Sequence, residues 1–63
     1  MDDFDIYETA LELIKKYGRE AGVEAAMRSD RMLDRGDQHA VGQWNKVMQA
    51  VEELQSPGFR LRH

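Results

Sequence analysis

The sequence predicts an all-α protein, a compact bundle of three helices, and three observations carry that reading. Apolar residues at 40, 41, 44, 47, 48, 51 and 54 recur with the spacing of one helical face. Gly36-Asp37 reads as a helix stop followed at once by a helix start, glycine supplying the left-handed end position and aspartate the N-cap. The chain is rich in Ala, Glu, Leu, Met, Lys, Arg and Gln and has few aromatics, which favours helix over sheet.

The first helix is expected over residues 4–18. Asp5 with Glu8 three residues later resembles a capping box, and the acidic residues around it complement the positive end of the helix dipole. Ile6, Tyr7, Ala10, Leu11, Leu13, Ile14 and Tyr17 span about half the circumference, wider than one buried stripe. Lys15 and Lys16 sit in the last turn and Gly18 follows as a terminator. So broad a face predicts contact with two surfaces at once.

The second helix is expected over 20–35. Gly22, Ala25, Ala26, Ser29, Met32 and Leu33 form its inner side, with Val23 and Met27 on a flank and Glu20, Glu24, Arg28, Arg31 and Arg35 opposite. Small residues on the inner side let two helix backbones approach closely. Asp30, on the edge of the apolar side, reads as a residue that caps or pairs with a neighbouring group. The third helix, 38–55, ends before Ser56-Pro57-Gly58, because proline cannot continue a helix and disfavours it in the residue before. The expected core is Leu13, Ala26, Leu33, Trp44, Val47, Met48 and Val51, gathered around Trp44. Residues 1–55 then form a single domain, and 56–63 an irregular tail or one folded back.

Sixty-three residues make one domain, too short to bury much of its surface alone. Disulfides and thiolate metal sites are excluded by the absence of cysteine, so helix packing or self-association must supply stability. Nine Lys or Arg against twelve Asp or Glu leave a net charge of −3, which opposes non-specific binding to nucleic acid or anionic lipid. No apolar run approaches the roughly 18 residues of a membrane span, and no basic-then-apolar leader is visible; the expected location is cytoplasmic.

No constellation for catalysis is legible. The hydroxyls of Thr9, Ser29 and Ser56 do not fall beside a histidine in helical register, His39 reads as a solvated or capping residue, and His63 is terminal. The expectation is a non-enzyme without cofactor, metal or small-molecule substrate. Two helices joined by a glycine turn also resemble a helix-turn-helix, with Gln38, Gln43, Asn45, Lys46 and Gln49 of the third helix as base readers. Against that alternative, a small DNA-binding regulator, stand the single Lys and the acidic Glu52 and Glu53 of that helix.

The favoured reading is a small non-catalytic protein–protein interaction module that self-associates as a homodimer. Its expected surface is Phe4, Tyr7, Leu11 and Ile14 of the first helix with Phe59 and Leu61 of the tail, apolar area beyond what three helices need for a core. The residues Asp5-Ile6-Tyr7, Thr9-Ala10, Leu13-Ile14, Gly18, Ala25-Ala26, Arg28, Asp30, Leu33, Gly36-Asp37, Trp44, Val47, Ala50 and Leu54 carry a resemblance as well. Over residues 5–55 the chain resembles a family of small uncharacterised, mainly alphaproteobacterial, all-helical hypothetical proteins. Their pattern is a Gly-Asp turn followed by a Trp-containing helix. The resemblance implies a helical, cytoplasmic bacterial protein and assigns no catalytic or binding residue.

Overall fold

In the computed structural model, which describes residues 5–56, the chain forms α1 (Ile6–Tyr17), a 3-10 turn (Gly18–Glu20), α2 (Ala21–Asp34) and α3 (Gln38–Gln55). The expected fold class holds: every described element is helical, and the helices pack on one another. The first two helices are closer to one bent helix than to two separate rods. At Gly18 the backbone takes φ 58° and ψ −124°, and it is helical again within three residues. The second α-helix accordingly starts at Ala21, one residue after the expected boundary.

The starts and stops follow local chemistry. Asp5 Oδ1 accepts from the Glu8 N–H at 3.0 Å, and Asp37 Oδ1 accepts from the Ala40 N–H at 3.0 Å, so both expected N-caps are formed. At the end of α2 the Gly36 N–H donates to the Leu33 carbonyl and the Asp37 N–H to the Met32 carbonyl, each at 2.9 Å. That bond pair is a Schellman motif, with Gly36 at φ 77° in the left-handed position. The next residue is already the cap of α3, so the reversal needs no loop.

Helices α2 and α3 form an antiparallel hairpin. Gly22 approaches Val51, Arg28 lies over Trp44 and Ser29 bonds Asn45, so partner numbers sum to between 72 and 74 along its length. Ala21, Ala25 and Ser29 are the buried residues of α2, four apart on a single stripe. Their small side chains admit Val47 and Val51, the largest fully buried side chains.

α1 crosses the open end of this hairpin. The Tyr7 hydroxyl donates to Glu53 Oε1 and the Gln55 amide donates to the Gly18 carbonyl, both at 2.9 Å. Tyr7 and Gly18 are about 16 Å apart along a helix, yet their partners are only two residues apart. A helix lying parallel to α3 could not make both bonds; α1 runs obliquely over its last turns. Ala10 and Leu13 press down into the core at that crossing.

The position of α1 corrects the expected core. Among the described residues only α2 and α3 meet near the Gly36 turn, so Leu33 is 59% exposed rather than buried. Trp44 is half-buried beside the core instead of at its centre, as are Met48 and Ala26, whereas Leu13, Val47 and Val51 are buried as expected. The inner stripe of α2 is rotated by roughly 40° from the expected one, toward Ala21, because α2 must meet α1 as well as α3. Val23 and Met27 therefore face solvent, and Glu24 and Arg28 turn toward Trp44.

Candidate interaction surface

The outer flank of α1 carries the described part of the expected surface. Tyr7 is 52% exposed and Leu11 55%, one turn apart, while Ile14 continues the row and packs half-buried against the core. Phe4, Phe59 and Leu61 lie outside the described residues. Tyr7 is held in place: its hydroxyl is fixed by Glu53, whose carboxylate accepts the bond and raises the phenol pKa above its ordinary value, with the neighbouring charge adding to the effect. The ring is thus tethered to α3 by its hydroxyl while staying exposed, and Leu11 extends the apolar area beyond it.

Carboxylates border this flank. Asp5, Glu8 and Glu12 are exposed on α1, and Glu52 and Glu53 are exposed on the last turns of α3. Lys15 and Lys16 occupy the far end of α1. Among the described residues the surface is thus an apolar row with acidic margins, with Lys15 and Lys16 at its C-terminal end.

Sequence reasoning missed a second exposed apolar group on α2. Val23, Met27 and Leu33 are 60%, 45% and 59% exposed. The signal was present, since Val23 and Met27 stand one turn apart, but their placement on a flank of the core concealed it. Asp30, between them and Leu33 in the chain, is exposed.

A third constellation is polar. Arg28 Nε donates to Glu24 Oε2 at 2.8 Å, and the guanidinium lies 5.2 Å from the centre of the Trp44 ring. The Glu24 hydrogen bond raises the Arg28 pKa, partial burial opposes it, and the Tyr17 hydroxyl adds a smaller effect in the same sense as Glu24. Among the described residues no buried side-chain nitrogen or oxygen lacks a hydrogen-bond partner.

The residues expected to read bases are partly committed elsewhere. Asn45 Oδ1 accepts from Ser29 Oγ at 3.0 Å, and the Gln43 amide lies 3.2 Å from His39 Nε2. Among the described residues no group of three His, Cys, Asp or Glu could hold a metal ion, and no helix is long and apolar enough to cross a membrane. No family model, curated protein or solved structure matches the chain.

Proposed function

We propose that this protein is a small non-catalytic interaction module that self-associates through the outer flank of α1. The observation that carries the reading is the exposed pair Tyr7 and Leu11, in line with Ile14, on a domain whose own core is thin. Among the described residues the buried apolar ones are Ala10, Leu13, Ala21, Ala25, Val47, Ala50 and Val51, and four of these seven are alanines. So little buried apolar area leaves a small monomer marginal, and pairing the α1 flanks about a two-fold axis would add what the interior lacks.

The helix-turn-helix alternative finds less support. Its two helices cross at about 90–120°, whereas α2 and α3 lie side by side in antiparallel register from Gly22/Val51 to Ser29/Asn45. The partial commitment of Asn45 and Gln43 weighs in the same direction.

Sedimentation across a micromolar concentration series tests the proposal. The expected result is a mass that rises with concentration and is returned to that of the monomer by Leu11→Glu, with Met27→Glu leaving association intact. A monomer at every concentration would overturn self-association. Loss of association in Met27→Glu alone would move the surface to α2.

A further inference from the structure

We infer that α1 pairs with α1 of a second copy in antiparallel orientation, with Leu11 of each copy packed beside Ile14 of the other and Glu8 of each beside the other's Lys15. The inference rests on the reading that the α1 flank self-associates, and adds the orientation and the charges that select a second copy as the partner.

Charge along the row supplies the first argument. Glu8 and Lys15 are both exposed and stand seven residues apart, so they lie on one edge of the row, within about 20° of each other around the helix. That edge therefore begins with a negative charge and ends with a positive one. Among the described residues the ion pair is that of Arg28 with Glu24, so neither charge is matched there. A surface polarised in this way complements a reversed copy of itself.

Spacing supplies the second. Tyr7, Leu11 and Ile14 follow the alternating four- and three-residue steps of a coiled-coil seam. With two such seams antiparallel and Leu11 level with Ile14 of the second copy, Glu8 and the second copy's Lys15 are offset by about 3 Å along the axis. Two long side chains span that offset readily. The two-fold axis repeats the pair at the other end of the seam.

The opposite orientation is disfavoured by α3. Going round α1, Ile14 and Tyr7 lie on the core side of Leu11, and Glu8 and Lys15 on its solvent side. The Tyr7 bond to Glu53 brings the last turns of α3 along the core-side edge. A parallel pair turns the solvent-side edge of one copy against the core-side edge of the other, so Glu8 would meet Glu53 of the second copy at the same height. An antiparallel pair sets the two solvent-side edges together and matches Glu8 with Lys15 instead. Electrostatics thus decides the orientation of an interface whose attraction is apolar.

Two charge reversals in the full chain test the inference by sedimentation. Glu8→Lys sets lysine against lysine and Lys15→Glu sets glutamate against glutamate. Each variant alone is expected to associate about tenfold more weakly than the unaltered chain, because two exposed pairs change in every dimer. An equimolar mixture of the two variants restores both pairs and is expected to associate about as tightly as the unaltered chain. Net charge by itself gives a different result, since Glu8→Lys makes an acidic chain less negative and would strengthen association. Glu8→Gln and Lys15→Gln should each weaken association about threefold, and they decide the matter if a reversal unfolds the chain. Association unchanged or strengthened in Glu8→Lys, or in Glu8→Gln where the reversal does not fold, would overturn the antiparallel arrangement. A mixture of folded variants no tighter than its components would overturn it too. If Leu11→Glu still abolishes association in those cases, the α1 flank remains the associating surface and only the orientation fails. An unaltered chain that is monomeric at every concentration overturns both.

Discussion

Arg28 lies over Trp44 at 5.2 Å and is held there by Glu24, one turn earlier on α2. Trp44 therefore meets a cation as well as packing against the core, and its surface is used without being fully buried. Arg28→Ala should cost about 1 kcal/mol, from a partly exposed cation–π contact of roughly 0.5–1 kcal/mol and an i,i+4 ion pair of a few tenths. Chemical denaturation followed by Trp44 emission checks both the loss and the altered ring environment.

Half-burial also limits the effect of removing the tryptophan. Trp44→Ala is expected to cost about 2 kcal/mol, below the roughly 3–5 kcal/mol of a fully buried aromatic. Val51→Ala, a smaller deletion at a site only 1% exposed, should come close to it at about 2 kcal/mol. Denaturation midpoints of the two variants settle the comparison. A Trp44 variant far less stable than the Val51 variant would mean that the ring carries the core after all.

Close approach of α2 to α3 depends on small side chains, and Ala25 is wholly buried between them. Ala25→Leu should force the hairpin apart and cost about 1–3 kcal/mol despite the better helix-forming and more apolar residue. Loss of cooperative melting, with helical circular dichroism partly retained, is the expected signature.

Two of the described glycines have positive φ, and they differ in what could replace them. Gly36 occupies the left-handed end of a Schellman motif, a conformation asparagine tolerates. Gly18, with ψ −124°, lies in a region that is essentially glycine's alone. Gly36→Asn should therefore be nearly neutral, and Gly18→Asn should cost roughly 1–3 kcal/mol by melting temperature.

The Tyr7–Glu53 bond has a defined pH dependence. Glu53 raises the phenol above its ordinary value of 10.0, so the bond's contribution is complete below pH 10 and disappears as pH rises through the higher folded value. Ultraviolet titration should show one tyrosine ionising above that ordinary value, and Glu53→Gln should bring it back down. If Glu53→Gln leaves that ionisation where it was, Tyr7 and Glu53 are not bonded in solution.

Much of this architecture is legible in short stretches of chain. Asp5, Asp37 and Gly36 act on the backbone groups beside them, so caps and the hairpin turn can be read without knowing what packs where. The same holds for the stripe of α3 and the broad face of α1, since helical period alone aligns those residues. What no local pattern reveals is which part of a broad face is covered. That depends on the oblique path of α1, which thickens one end of the hairpin and leaves the other only two helices deep. Leu33 and Leu13 look alike as residues on an apolar stripe; Leu13 is buried because α1, which carries it, packs onto the hairpin there, and Leu33 is exposed because α1 does not extend to its end of α2. Trp44 stands at that boundary for the same reason. Burial is a property of neighbours that meet across the chain, and here the bend at Gly18 and the bonds from Tyr7 to Glu53 and from Gln55 to Gly18 decide which neighbours those are.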